Sequence, residues 1–225
     1  MIKIFADTSN IDEIRELNKN PLISGFTTNP SLMRKAGVLN YKEHCRGILA
    51  EIGDKPVSFE VLADTPGEIE RQARVIANWA DNIYVKIPIT TTNGSYLFEV
   101  IRHLVHDGIK VNVTAVTEPL QAIALPITKT PMIVSYFAGR VADTGRDPVL
   151  GMKMLRQMLD VQLLWGSPRE ALNVYEAEQA GADIITMTPE LIKKYQTFKG
   201  MDLRKLSLIT VKQFYDDGKL SGYDL

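Results

Sequence analysis

Short apolar runs alternate with amphipathic stretches from one end of this chain to the other, and that alternation constrains its fold more than any other feature. Residues 2–6 form an apolar run, and Ile11, Ile14 and Leu17 follow at helical spacing. Gly25-Phe26-Thr27-Thr28 predicts a second strand, with extra helical material after it that includes residues 41–52. A third strand over 57–62 precedes a helix over 66–80, and residues 83–87 make a fourth. Beyond it, Leu97, Val100, Ile101 and Leu104 occupy the i, i+3, i+4 and i+7 positions of one helical face. Strands five to eight are predicted at 110–116, 132–137, 161–165 and 183–187, with helical stretches near 118–125, 147–159, 168–180 and 189–197. Strands that alternate with helices pair in parallel and are covered on both faces, so Ile83-Tyr84-Val85 and Ile184-Ile185 are apolar without a break. Eight such units predict a closed (β/α)8 TIM barrel. A doubly wound open sheet usually carries a Gly-rich phosphate turn after its first strand, where this chain has Asp7-Thr8-Ser9-Asn10.

A length of 225 residues suits one such barrel as a single domain over residues 1–225. A ninth helix over 203–216 and an irregular tail over 218–225 fall outside the repeat, and this extension, about 203–225, is left to assembly or to covering the barrel mouth. Hydrophobic residues at 45% supply a large core, while a formal net charge of -1 gives no basic field for nucleic acid or an anionic membrane surface. No apolar run approaches the roughly 20 residues that span a bilayer. The single cysteine, Cys45, forms no internal disulfide, and MIKIFADTSN carries no signal or transit pattern, so the chain reads as cytoplasmic.

Barrels of this kind place their chemistry at the carboxyl ends of the strands. Those positions are polar here: Asp7 on strand one, Thr27 and Asn29 at the end of strand two, Glu60 in strand three, and Lys86 inside Tyr84-Val85-Lys86-Ile87-Pro88. Asn112 and Thr114 share a face of strand five, Ser135 and Arg140 bracket the end of strand six, and Ser167 and Arg169 open the helix after strand seven. An amine in a buried strand is costly to keep charged, and its neutral form is a nucleophile. Asp7 and Glu60 would converge on it as a base and a proton shuttle; a structural ion pair with either carboxylate fits the spacing equally well. Arg140, Ser167 and Arg169 form a candidate anion cradle, with Ser167 placed at a helix N-terminus. His103 and His106 fall on a solvated helical flank, and no metal site is assigned. Cys45 beside His44 lacks a partner motif for a catalytic thiol, and Trp79 and Trp165 are read as packing residues.

The motifs Asp7-Thr8-Ser9, Gly25-Phe26-Thr27-Thr28-Asn29-Pro30-Ser31, Phe59-Glu60-Val61, Val85-Lys86-Ile87-Pro88, Asn112-Val113-Thr114, Gly139-Arg140-Val141 and Ala180-Gly181-Ala182-Asp183 resemble the transaldolase family. The resemblance runs essentially end to end and points to the small-subunit branch that includes the fructose-6-phosphate aldolases. It implies a class I barrel in which Lys86 forms a Schiff base, Asp7 takes the proton of the substrate hydroxyl, and Glu60 and Thr114 hold a catalytic water. Asn29, Asn112 and Ser135 would then bind substrate hydroxyls, with Thr27 and Phe137 also at the substrate. Arg140, Ser167 and Arg169 match the family's phosphate positions. No metal or organic cofactor is implied, the partners are sugar phosphates, and the branch forms ring-shaped homo-oligomers, the decamer being one such ring.

Glu60, Asn112 and Phe137 resemble transaldolases, whereas the fructose-6-phosphate aldolases carry a glutamine, an apolar residue and a tyrosine at those positions. Transfer of a dihydroxyacetone unit from a ketose phosphate to an aldose phosphate is therefore the expected activity. Trp165-Gly166-Ser167-Pro168-Arg169 departs from the family pattern, with Pro168 in place of phenylalanine, which leaves the acceptor and the anion open. A plain fructose-6-phosphate aldolase and a transaldolase of a sulfonated or otherwise modified sugar are the alternatives among enzymes. A catalytically silent barrel that only binds sugar phosphates is the alternative outside them.

Overall fold

The computed structural model describes residues 2–126 and 128–223. Eight parallel strands, β1 (Lys3–Asp7), β2 (Ile23–Thr27), β3 (Val57–Glu60), β4 (Ile83–Pro88), β5 (Val111–Val116), β6 (Met132–Tyr136), β7 (Gln162–Trp165) and β8 (Ile184–Met187), pair in chain order and close through β1 against β8. The fold is the expected (β/α)8 barrel. The chain divides into two compact units between Ile192 and Lys193, and every strand lies in the first.

Helices α1 (Ile11–Asn18), α2 (Pro30–Lys35), α3 (Tyr41–Ile52), α4 (Pro66–Ala77) and α5 (Phe98–His106) follow the first four strands, α2 and α3 both after β2. Their starts are written in capping residues. Asn10 accepts from the amides of Asp12 and Glu13, Asn40 from Glu43, and Asn29 caps α2 through Leu32 N with Pro30 at the first helical position. An Asx side chain satisfies an orphan amide there, and proline gives up only an N–H that had no helical partner. The second half holds α6 (Ala138–Ala142), α7 (Pro148–Met158), α8 (Asn173–Gln179) and α9 (Pro189–Phe198). Inside the barrel Phe5, Ile133, Leu164 and Ile184 pack together. Gly25 makes room for that cluster, because a Cβ on it would sit 2.6 Å from the Phe5 ring.

Three segments differ from the sequence reading. The helix expected near 118–125 is a single 3-10 turn, Pro119–Ala122. The helix after β7 begins at Asn173, well past the predicted 168, because Ser167 takes a left-handed φ of 56° that no helix start accommodates. The C-terminal helix α10 (Leu203–Ser221) runs through Gly218 and stops at Gly222, whose left-handed φ of 67° ends it. A glycine inside a helix costs only about 1 kcal/mol relative to alanine, too little to end a helix by itself. Of the tail predicted over 218–225, residues 224 and 225 lie outside the described residues.

Candidate active site

A cavity of about 540 Å³ opens at the carboxyl ends of the strands. Register places its floor: Glu60 pairs with Lys86 across β3 and β4, and Lys86 with Asn112 across β4 and β5. The Lys86 side chain is only 7% exposed, and its Nζ lies 3.1 Å from Glu60 Oε2 while donating to the Thr28 carbonyl at 3.0 Å. The amine and carboxylate thus form the ion pair that the spacing allowed, at the wall of a cavity that both line. Tyr41 Oη donates to the Glu60 carbonyl at 2.7 Å and ties that strand end to α3.

On β1, Asp7 accepts from Thr27 Oγ1 at 2.7 Å. A hydroxyl has one proton to give, so Thr27, whose oxygen also lies 2.5 Å from Thr186 Oγ1, receives that second bond from Thr186. Burial pushes the Asp7 carboxyl above the ordinary aspartate range, partly offset by the Lys86 charge and the Thr27 hydroxyl. Asn29 lines the cavity while its carboxamide oxygen stays on Leu32 N. Thr114 Oγ1 is buried and has no hydrogen-bond partner among the described residues, and Thr114 is one of the residues at the cavity wall.

Ser135 also reaches the cavity, but Asn112 does not. Asn112 accepts from Ser135 Oγ at 2.7 Å and donates to Ser58 Oγ at 2.9 Å, fully buried. It therefore sets the Ser135 hydroxyl from behind the wall.

Phe137, Arg140 and Ser167 line the opposite side of the mouth, and the Arg140 guanidinium sits 5.6 Å over the Phe137 ring. Gly139 is required by a close approach, since a Cβ there would lie 1.6 Å from the Ser167 carbonyl oxygen. Gly139 N donates to the Gly166 carbonyl at 3.2 Å, and this contact brings the start of α6 against Gly166-Ser167. For the anion cradle, one expectation is corrected and one residue stands apart from the cavity. Ser167 is in a left-handed turn rather than at a helix N-terminus, six residues before α8 begins. Arg169 lies outside the cavity: its side chain is half-exposed and forks onto Asp143, Nε at 3.2 Å, and the guanidinium holds the Asp143 carboxyl below its usual range.

Several cavity residues escaped the sequence reading, Lys35, Ala115 and Thr186 among them. Lys35 lines the mouth from the end of α2, and its signal was the spacing Asn29, Leu32, Lys35 along one helical face. Ala115 lines it at a φ of 61°, and nothing in an alanine announces that conformation. The remaining candidates lie elsewhere. The Cys45 thiol is pushed up to about 12 by burial, so it stays a thiol. His44 Nε2 meets the Ser9 carbonyl at 2.7 Å, and His103 Nδ1 lies 3.5 Å from Glu70 with its side chain half-exposed. Trp165 is wholly buried, and Trp79 packs at 6.3 Å from the rings of Tyr41 and Phe59.

Fold and site together define a (β/α)8 barrel enzyme whose polar cavity gathers a buried lysine and two carboxylates. Residues 4–220 match the family model described as Transaldolase/Fructose-6-phosphate aldolase, and the chain belongs to that family. It is 36% identical over 194 residues to a protein of Dehalococcoides mccartyi named "Probable transaldolase", covering 83% of this chain and 86% of the other. A protein of the same name from Sphingopyxis alaskensis is 37% identical over 197 residues, with 85% and 88% covered. Among solved structures, thiamine phosphate pyrophosphorylase from Pyrococcus furiosus superposes with a TM-score of 0.54 at 11% identity, over 87% of this chain and 94% of that one, and shares the fold alone. The chain is a transaldolase-like aldolase.

Proposed function

We propose that this chain is a transaldolase that carries a dihydroxyacetone unit from a ketose phosphate to an aldose phosphate on Lys86. The observation that carries the reading is the buried Lys86 amine, held 3.1 Å from Glu60 in the cavity that Asp7 also lines. Lys86 first passes a proton to Glu60, the free amine adds to the ketone carbon, and Glu60 returns the proton to the carbinolamine hydroxyl, which leaves as water beside Thr114 as the iminium forms. Asp7, made a stronger base by burial, takes the proton of the hydroxyl on the carbon beyond the scissile bond. The electron pair of the breaking carbon–carbon bond passes into the iminium, the aldose phosphate leaves, and a three-carbon enamine stays on Lys86. The enamine carbon then attacks the acceptor aldehyde, Asp7 returns its proton to the new alkoxide, and water releases the product ketose. Asn29 and Ser135 face the substrate hydroxyls, and Arg140 with Lys35 supplies positive charge at the mouth for the phosphate. No residue of α10 is buried and Leu208, Val211 and Phe214 are exposed on it, which supports assembly of several copies into a homo-oligomer.

The test is borohydride reduction in the presence of fructose 6-phosphate followed by peptide mapping, and, separately and without borohydride, turnover with and without an aldose phosphate acceptor. Label on Lys86, with faster turnover when erythrose 4-phosphate is added, is the expected result. Label on another lysine, or none, sinks the Schiff base. Release of dihydroxyacetone at one rate with or without the acceptor makes the protein an aldolase instead.

A further inference from the structure

Among the described residues, two that are not glycine adopt left-handed backbone, Ala115 and Ser167, and both line the cavity that holds Lys86. L-residues avoid that region, so its occupation beside a reactive lysine asks for a reason. Ala115 offers one. In the pairing of β5 with β6, Val113 stands opposite Val134 and Val116 opposite Tyr136, so three steps along β5 span two along β6. The extra residue is a bulge. Successive side chains of a regular strand point to opposite faces, yet Thr114 and Ala115 both line the cavity. The backbone is fixed on either side: Ile89 N donates to the Thr114 carbonyl at 2.9 Å and Phe137 N to the Val116 carbonyl at 2.7 Å. Between these clamps lies the buried Thr114 hydroxyl that no described protein group satisfies.

We infer that Ala115 is a positioning residue: its left-handed turn aims the Thr114 hydroxyl into the cavity, where it serves the imine chemistry of Lys86. This rests on the Schiff-base reading above. The requirement falls on the backbone and not on the volume of the side chain. Asparagine enters the left-handed region readily, whereas valine, of similar size and branched at Cβ, resists it.

Five variants test this, with folding followed by circular dichroism and thermal melting: Ala115→Gly, Ala115→Asn, Ala115→Val, and Thr114→Ala alone and combined with Ala115→Val. Glycine and asparagine should keep kcat within about threefold of wild type, while valine should lower it about tenfold or more with KM changed less than about twofold. In the Thr114→Ala background the valine change should cost under about twofold, because the group it misplaces is already gone. The rate of borohydride-trappable imine formation should follow the same order. Ala115→Thr, branched at Cβ like valine and no larger, takes the place of valine if that variant does not fold. Equal losses for asparagine and valine would show that cavity volume governs, and an undiminished valine loss without Thr114 would show that the bulge serves something else; either overturns the inference. Wild type that traps no substrate on Lys86 overturns the functional reading itself, and the inference with it.

Discussion

The two walls of the cavity are built in different ways. From β1 to β4 it is made of regular strand ends whose functional side chains are held by protein partners: Asp7 by Thr27, Lys86 by Glu60 and the Thr28 carbonyl, and Asn29 by the first turn of α2. From β5 to β7 the backbone is irregular, with a bulge at Ala115, a left-handed Ser167, and Gly139 pressed against the Ser167 carbonyl. There Thr114 has no described protein partner, and Arg140 rests on the Phe137 ring. Bond-making groups need fixed distances and proton partners, which regular strands in register deliver. The irregular wall does other work: its bulge presents the Thr114 hydroxyl, Asn112 holds Ser135, and close backbone approach leaves Arg140 free to meet an anion.

The largest effect expected from this division is at Asp7. Asp7→Asn keeps the shape but cannot accept a proton, so cleavage should fall about 10²- to 10⁴-fold while borohydride still traps the imine on Lys86. Stability should move the other way. Burial raises the Asp7 pKa, so the ionised carboxylate costs folding free energy at every pH above that raised value, and the cost disappears as pH falls toward the ordinary aspartate value near 3.8. Asp7→Asn should therefore melt at a higher temperature than wild type at pH 8 and lose that advantage on acidification. A variant that neither traps substrate nor gains stability would show that Asp7 holds Lys86 in place instead of moving protons.

The recognition wall should respond in KM. Arg140→Ala removes a charge-assisted contact made alike in ground and transition states, so KM for phosphorylated ketoses should rise about 10- to 100-fold with kcat within about threefold. An unphosphorylated dihydroxyacetone donor should be affected far less. Equal losses for both substrates would make Arg140 a prop for Phe137 and erase the distinction between the walls on this side.

The same division governs what could be read in the sequence. Apolar runs at β/α spacing specify a parallel barrel because strands covered on both faces have no other composition available, and β6 and β8 are buried along their whole length. Lys86 stood out because a charged residue in such a run conflicts with burial, and period-two alternation put Asn112 and Thr114 on one face. Alternation could not tell that the Asn112 amide is used up between Ser58 and Ser135. Nor could it find the bulge, where one extra residue resets the period and alanine gives no sign of it. The Ser167-Pro168-Arg169 stretch has the residues of a capped helix start, but the close contact with Gly139 decides otherwise, and that contact is between residues 28 positions apart in sequence.

Arg169 is where sequence and structure part most sharply, and it gives the smallest effect. Its guanidinium is forked onto Asp143 outside the cavity, with both side chains about half-exposed. Exposed pairs of this kind contribute about 0–1 kcal/mol, so Arg169→Ala should change KM for phosphorylated ketoses by no more than about twofold and barely shift the melting temperature. The comparison sharpens in Asp143→Asn, which frees the guanidinium. If Arg169 is simply a surface charge, this change also leaves KM within about twofold, and any residual effect fades as salt is raised, because screening acts on exposed charges first. If Arg169→Ala instead raises KM as much as Arg140→Ala does, the Asp143 pair must break when substrate binds. The recognition wall would then extend to the loop after β7, with Asp143 holding the arginine back until the anion arrives.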